Sequence, residues 1–460
     1  MKRPLDTGTA VVLLVGAILA VATSLALAER PPSMVLGALL VLAVLILAAG
    51  HTEWALYLLI FSMLLGPQVR LAQIGGARSL GRGLTLRLDD LLLAIIGLQW
   101  LARTAVSSQL GIFVTTPLNR PIAAYVFVVV LATGLGALAG RVGIPEGALF
   151  VAKYIQYFVI YFMVVNCLRE RRQFDRFLLA LFATAVMSSV IGVGQVLSGQ
   201  RVSALFEHEA GEPATFGGYL VLMLAVVSGL YLTSESPRRK LTLACLGALM
   251  TVPLLFSMSR GSYLAVIPMV GTLFVLSDRR WRVAAFCLVC IALAPVLMPK
   301  RVVDRILYTV SEAPIAEQVR VGGVRVDLST SERFIAAKVA VVQLWPQQPL
   351  LGHGVTGHPP LDAQYPRVLV ETGLVGLLAF LWIQIRLARR TYAVWRTTAD
   401  PVFKGVSLGL LAGFVALMTH AVGANTFTIV RIMEPFWFLA GMVMTVPRLE
   451  GPPSSPGASA

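Results

Sequence analysis

Apolar stretches alternate with short polar segments along almost the whole chain. Most of them measure roughly 17–25 residues, which is the length that a helix needs to cross a hydrocarbon core of about 30 Å. The pattern therefore predicts an all-α polytopic membrane protein with about fourteen transmembrane helices, although the two stretches that flank His51 can also form one re-entrant hairpin. The predicted spans are Thr9–Ala28, Met34–Gly50, Thr52–Gly66, Asp89–Val106, Pro121–Ala139, Ala148–Leu168, Phe177–Ser198, Ala214–Thr233, Leu241–Met258, Gly261–Ser277, Trp281–Met298, Tyr365–Leu387, Val402–Val422 and Ile432–Pro447.

A single long polar segment, rich in arginine, interrupts this series between the eleventh and twelfth spans. It divides the chain into an N-terminal transmembrane bundle (residues 1–298), a large loop (299–364), C-terminal transmembrane helices (365–447) and a tail (448–460). The last ten residues are all Gly, Pro, Ser or Ala, so we expect the tail to be disordered.

Within the large loop, residues Ser331–Trp345 have the periodicity of an amphipathic helix. Ser331 is placed to cap its N-terminus, and Phe334, Val341 and Trp345 fall on or near one face. We expect this helix to lie along the membrane surface and to cover a binding site below it.

The composition excludes a water-soluble globule, because 57% of the residues are hydrophobic and only 13% are charged, whereas soluble domains have about 25% charged residues. The formal net charge is +15. In a membrane protein, basic cytoplasmic loops explain such a charge, so no nucleic-acid partner is expected. Cys287 and Cys290 form a C-x-x-C pattern, but on a membrane helix this spacing is one face of a turn, and we predict no metal site.

The basic loops predict the orientation of the chain. Alternate loops carry the clusters Arg169–Arg172, Arg238–Lys240, Arg279–Arg282 and Arg386–Arg396. Since Lys and Arg accumulate on the cytoplasmic side, these loops and both termini are predicted to be cytoplasmic. The large loop then lies on the outer face.

Arginines on that outer face are unexpected, and they indicate an anionic ligand. A guanidinium donates two parallel hydrogen bonds to a phosphate and never loses its charge. Lys153 can add a further cation to such a site. The presence of any one of these cations, taken alone, is also explained by ordinary solvated loop charge or by contact with anionic lipid. The residues predicted to bind the ligand are Arg201, Arg260, Arg333, Arg367 and Lys153.

Three short motifs carry a resemblance to a known family: Ser259-Arg-Gly261, Pro349-Leu-Leu-Gly-His-Gly354 and Leu369-Val-Glu-Thr-Gly-Leu-Val-Gly376. In this order they resemble the O-antigen ligase and polymerase superfamily, which are integral membrane glycosyltransferases acting on undecaprenyl-diphosphate-linked glycans. The resemblance extends from Arg201 to Glu434. It implies a helical fold, a periplasmic site in the bacterial inner membrane, arginines that bind the lipid diphosphate, and neither metal nor other cofactor.

The chain departs from the ligase pattern at one position. Ligases of the family have a histidine eleven residues before the first glycine of the E-x-G ending, and this chain has Asp362 there. The pattern D-x-Q-Y-x-R looks more like a polymerase, so a polysaccharide polymerase is the leading interpretation. A ligase is the second, and a transporter of lipid-linked sugars is the third.

The resemblance implies that an acceptor hydroxyl attacks the anomeric carbon of the lipid-linked donor, so a base must accept a proton. Asp362 matches the position of the base in the family. Glu371 is an alternative, or it holds Arg367 in place, and His353 and His358 lie close by in the sequence but out of register. The implied partners are an undecaprenyl-diphosphate-linked oligosaccharide, membrane lipid, a chain-length regulator and a flippase.

Overall fold

The computed structural model describes most of the chain from residue 114 onward and part of the region before it. The described residues are 52–66, 68–69, 86–87, 90, 93–94, 96–97, 114–203, 213–285, 288, 303–304, 319–321, 324–325 and 327–451. The spans predicted at Thr9–Ala28 and Met34–Gly50 lie outside them, as do most of Asp89–Val106 and Trp281–Met298 and the tail from residue 452 onward.

The described part of the chain is almost entirely helical, and most of its longer helices overlap predicted spans. The longer α-helices are α1 Thr52–Leu65, α2 Asn119–Leu138, α3 Ile144–Cys167, α4 Arg171–Leu197, α5 Pro213–Thr233, α6 Pro237–Phe256, α7 Arg260–Leu276, α8 Leu328–Val339, α9 Gln364–Thr397, α10 Pro401–His420 and α11 Val430–Leu449. Two short antiparallel pairs accompany them: β1 Gln68–Val69 with β2 Leu86–Arg87, and β3 Arg320–Val321 with β4 Val324–Arg325.

Seven of the described helices, α2 to α6 with α9 and α10, are long and apolar enough to cross a membrane. The described part of the chain is therefore predominantly helical and has the repeated apolar spans of a multi-pass membrane protein. The total of about fourteen spans, the division into domains and the side on which the large loop lies stay predictions.

Helices α5 and α10 form the centre of the bundle, and small residues bring them close together. Gly229 of α5 faces Gly405 and Gly409 of α10, and a Cβ atom on Gly229 would collide with their backbone atoms. Small residues at such crossings let membrane helices approach closely and gain packing contacts. Helix α11 packs beside this pair with Trp437 and Phe438 buried.

Helix α9 is broken at Gly373, where φ is 66° and ψ is −168°. The loop 349–354 fits into the break and replaces the lost helical hydrogen bonds on both sides. His353 N–H donates to Val370 O (2.8 Å) and Gly354 N–H donates to Glu371 O (2.9 Å). On the other side, Leu374 N–H donates to Pro349 O (2.9 Å) and Val375 N–H to Leu350 O (3.2 Å).

These backbone hydrogen bonds explain why the motifs Pro349–Gly354 and Leu369–Gly376 occur together. A Cβ atom on Gly352 would lie 2.5 Å from Val370 O, and one on Gly373 would collide with Leu350 O. Both glycines also have positive φ, which other residues rarely adopt. The loop motif and the helix motif are therefore one structural unit, in which the loop supplies partners for four backbone groups at the break.

The amphipathic helix of the large loop begins earlier than predicted. Helix α8 starts at Leu328, with Asp327 at the N-cap position, and after Val339 it continues as a π-helical turn, Ala340–Leu344. The prediction that Ser331 caps this helix is wrong, because Ser331 is buried inside it and its Oγ accepts the N–H of Val319 (3.0 Å).

The apolar residues of this segment nevertheless form an exposed surface. Phe334 and Ile335 of α8 are exposed, as are Val341 and Val342 of the π-helical turn. Exposed apolar residues in such a patch are typical of a surface that contacts a membrane or another protein. That α8 lies along the membrane stays a prediction.

At the end of the bundle that carries the basic loops, an ion pair joins the start of α4 to the start of α10. Asp400 caps α10 by accepting the N–H groups of Val402 (2.8 Å) and Phe403 (3.0 Å), and it also pairs with Arg171. Partial burial by itself raises the pKa of Asp400, but the hydrogen bonds from Arg171 and from these amides outweigh it, and the pKa is lowered from its ordinary value.

Candidate active site at one end of the helix bundle

A cavity of about 500 Å³ opens at the end of the bundle opposite the basic loops. It lies where α3, α5, α7, α9 and α11 begin and where α10 ends. Six of the eight predicted site residues line it, although they come from five separate segments of the chain: Lys153, Arg201, Arg260, Arg333, and Asp362 with Arg367. The remaining two, Glu371 and His353, are not among its lining residues.

Three helix N-termini add to the positive potential of these side chains. Residues at the start of α5 (Pro213), α7 (Gly261) and α11 (Val430) line the cavity. The first N–H groups of a helix have no partner within the helix, and the helix dipole is positive at this end. Side chains and helix ends therefore both favour an anion in the cavity.

Arg260 is held by a carboxylate that the sequence analysis missed. Its guanidinium forms two ion-paired contacts with Asp327, Nη1 to Oδ1 at 2.6 Å and Nη2 to Oδ2 at 2.7 Å. Asp327 is buried, and its pairing joins the start of α7 to the start of α8. Because a guanidinium has more N–H groups than one carboxylate can accept, the paired Arg260 can still donate to a ligand.

Arg367 is held in a similar way by Glu371. Arg367 Nε donates to Glu371 Oε1 (2.8 Å) and the Tyr154 hydroxyl donates to Oε2 (2.9 Å). His358 Nε2 lies 3.5 Å from the same Oε1. Glu371 is 2% exposed, while Arg367 and Tyr154 line the cavity. This geometry favours a holding role for Glu371 over the role of a base.

Lys153 completes a pattern of cations backed by carboxylates. Its Nζ lies 3.8 Å from Asp90 Oδ2. Three of the five cavity cations are thus paired with a carboxylate, which is Asp90, Asp327 or Glu371. None of these three carboxylates is among the residues lining the cavity. Since nearby unlike charges offset the repulsion between like charges, these carboxylates let several cations face one small cavity. Arg201 and Arg333 are more exposed.

Asp362 is exposed and contributes a carboxylate to the cavity wall. It precedes the N-cap position of α9, which is Ala363. The backbone around it is fixed to the loop after α10: Gln364 N–H donates to Ala421 O (3.1 Å), and Asn425 Nδ2 donates to Leu361 O (2.6 Å). Asp362 is therefore presented to the cavity from a rigid part of the loop.

The two histidines of the large loop have structural contacts outside the cavity. His353 is buried, and its Nε2 lies 2.9 Å from Leu344 O. Since a carbonyl oxygen only accepts, this nitrogen is the donor, and it fixes the loop to the π-helical turn. His358 Nδ1 similarly donates to Pro359 O (2.6 Å). Neither ring is among the lining residues.

A third histidine, His420, lines the cavity and was missed by the sequence analysis. It is the last residue of α10 and is 1% exposed. Its Nδ1 lies 2.8 Å from Thr426 Oγ1 and its Nε2 lies 3.3 Å from Ser262 Oγ. The only signal in the sequence is that an ionisable residue stands at the end of an apolar span. Ionisable residues at such positions of membrane proteins often have a functional role.

The chain matches no protein-family model and no curated protein. A function must therefore be inferred from the cavity and from the motifs that surround it. Among the described residues, no group of three or more His, Cys, Asp and Glu side chains is arranged to hold a metal ion. The chemistry that the described cavity offers is the binding of an anion, together with a carboxylate and an imidazole that can exchange protons.

Proposed function

We propose that the protein is a membrane glycosyltransferase that polymerises a polysaccharide from undecaprenyl-diphosphate-linked repeat units at the periplasmic face of the bacterial inner membrane. The observation that carries this proposal is the clustering of five cations around one cavity. The motif resemblance described above supports the same conclusion: Ser259-Arg-Gly261 lines the cavity, and Leu369–Gly376 contacts the lining residue Arg367 through Glu371. The motif Pro349–Gly354 is joined to Leu369–Gly376 by backbone hydrogen bonds.

A diphosphate is the anion that suits this cavity best. Its several oxygens can each accept hydrogen bonds from a guanidinium fork. Arg201, Arg260 and Arg333 come from three different segments and all line the cavity, so they offer several guanidinium forks to one ligand. The cavity lies where several spans begin or end, the depth at which the headgroup of a polyprenyl lipid lies while its chain stays in the hydrocarbon.

The proposed reaction needs two kinds of group, and the cavity supplies both. The acceptor hydroxyl attacks the anomeric carbon, the bond to the diphosphate breaks, and negative charge grows on the departing phosphate oxygen. Preorganised cations stabilise this charge. A base takes the hydroxyl proton, which contributes about 10²–10⁴-fold to the rate. Asp362 and His420 are the lining residues that can act as this base.

The proposal is tested by deleting the gene and analysing the lipid-linked glycans that remain. A polymerase leaves single lipid-linked repeat units, because they are made and exported but not joined. Full-length polymer that stays on the lipid carrier would instead identify a ligase, the alternative with the same donor chemistry. Normal polymer on its final acceptor would contradict both.

Removal of one exposed cavity cation should weaken polymer formation without affecting the fold. We expect Arg333→Ala to lower activity by about 10-fold or more, since a hydrogen bond to a charged group contributes about 1.5–3 kcal/mol. Lys338→Ala is the matched control, because Lys338 is an exposed cation on the same helix that does not line the cavity. Polymer yield and protein abundance are measured together. Equal activity of the two variants would remove Arg333 from the site.

The proposed orientation can be measured with reporter fusions. Fusions at Arg239, Arg280 and Arg390 are expected to report the cytoplasm, and fusions at Arg201 and Arg320 the periplasm, because basic loops stay inside. A cytoplasmic signal at Arg320 would place the cavity on the wrong side for a periplasmic enzyme.

A further inference from the structure

We infer that His420 is the final proton acceptor of the cavity and that the hydroxyls of Ser259 and Ser262 connect it to the substrate. This inference rests on the glycosyl transfer proposed above. It assigns the base to a residue at the end of α10, outside the three motifs that suggested the family.

A continuous chain of polar groups leads from the cavity to the imidazole. Ser259 lines the cavity, its Oγ lies 2.8 Å from Ser262 Oγ, and Ser262 Oγ lies 3.3 Å from His420 Nε2. On the far side of the ring, Nδ1 lies 2.8 Å from Thr426 Oγ1. A hydroxyl rotates to donate or accept, so Nδ1–H can donate to Thr426 while Nε2 keeps its lone pair towards Ser262.

The surrounding backbone keeps the ring in this orientation. A Cβ atom on Gly218 would lie 3.3 Å from His420 Cε1, and one on Gly261 would lie 3.6 Å from Cδ2. Gly218 of α5 therefore leaves space that the flat ring uses, and Gly261 of α7 lies close to its other edge. A base held in a fixed position can act without rearrangement in the transition state.

Atoms and charges balance in the resulting step. The acceptor oxygen forms a bond to the anomeric carbon and gives its proton to Ser259, Ser259 passes a proton to Ser262, and Ser262 passes one to His420 Nε2. The bond between the anomeric carbon and the diphosphate oxygen breaks, and its electron pair stays on that oxygen beside the arginines. The imidazolium then releases its proton to water.

The imidazole suits this role by its placement, because Nε2 faces Ser262 Oγ at 3.3 Å while Nδ1 is held by Thr426 Oγ1 at 2.8 Å. Its titration takes place among other charges, and these will set the pH at which it occurs. The charged groups that share the cavity with the ring, or lie on α11 packed against α10, are Lys153, Arg201, Arg260, Arg333, Asp362, Arg367, Arg431 and Glu434.

The test uses the full-length protein in lipid nanodiscs, with lipid-linked repeat units extracted from the deletion strain as substrate. We expect His420→Gln to lower kcat by about 10²-fold or more, while the Kd for undecaprenyl diphosphate stays within about threefold. The acidic limb of the pH–rate profile should disappear, a change that a loss of packing does not produce.

Ser262→Ala keeps the imidazole but interrupts the chain of hydroxyl groups, so it should lower kcat by about 10-fold. It is the second variant if His420→Gln does not fold.

Different failures have different meanings. A wild-type protein that transfers nothing from these donors overturns the proposed function and this inference with it. An active wild type together with an active His420→Gln overturns the inference alone, and an inactive Asp362→Asn in the same series would assign the proton to Asp362. A Ser262→Ala variant with wild-type kcat shows that the proton does not pass through the serines.

Discussion

Alanine at Gly373 is expected to abolish polymer formation and to destabilise the protein. A residue with a Cβ atom costs about 1–3 kcal/mol at a strained, positive φ, and at this position the Cβ would also collide with the carbonyl of Leu350. The loop 349–354 would be displaced from the break in α9. Because Glu371 lies two residues before the break, Arg367 would lose its fixed position as well. Gly352→Ala should have the same effect from the other side.

Gly134→Ala is the matched control for both variants. Gly134 lies inside α2, and a Cβ atom there meets nothing within 4 Å, so alanine should be neutral or stabilising by up to about 1 kcal/mol. The thermal midpoint and the polymer yield of the three variants are compared at equal expression. Wild-type values for Gly373→Ala would show that the loop and the helix do not depend on each other.

The spans could be predicted from the sequence because each one is determined locally. A helix in hydrocarbon satisfies its own backbone bonds, so length and apolarity are sufficient to locate it. The predicted span Ala214–Thr233 and helix α5, Pro213–Thr233, differ by one residue. The break in α9 is different, because it exists only when the loop 349–354 supplies new partners for the freed backbone groups.

The clustering of cations around the cavity could also be predicted in part from the sequence. Arg201, Arg260 and Arg333 were selected because they are cations on a face where cations are scarce, and this criterion does not require knowledge of the packing. All three line the same cavity. Whether they bind a diphosphate is still a prediction.

The roles of Asp327 and His420 could not be predicted, because they depend on contacts between distant segments of the chain. Asp327 looks like an ordinary loop carboxylate until α7 brings Arg260 to it. His420 looks like the end of an apolar span until α7 places Ser262 beside its ring. The Ser331 cap was wrong for a different reason: the helix begins earlier, at Leu328, so Ser331 lies inside it, where its hydroxyl accepts the N–H of Val319.

Glu371→Gln is expected to produce the second large effect, because it removes the charge that holds Arg367. The pair is buried, with Glu371 2% exposed, and breaking a buried ion pair by removing one partner costs about 3–5 kcal/mol. The neutral amide keeps the shape of the side chain but leaves Arg367 uncompensated among four other cavity cations. Both the thermal midpoint and the polymer yield should fall sharply.

Asp175→Asn is the matched control, since Asp175 and Arg171 form an ion pair with the same four-residue spacing, but at an exposed position (3.1 Å). Exposed pairs contribute about 0–1 kcal/mol, so this variant should resemble the wild type.

The double variant Arg367→Met with Glu371→Met separates structure from function. Replacing a whole buried pair with apolar side chains is often neutral, so the thermal midpoint should recover towards the wild-type value, while polymer formation stays lost because the cation is gone. If polymer formation also recovers in the double variant, Arg367 does not act on the substrate, and the ligand must be held by the remaining cations of the cavity.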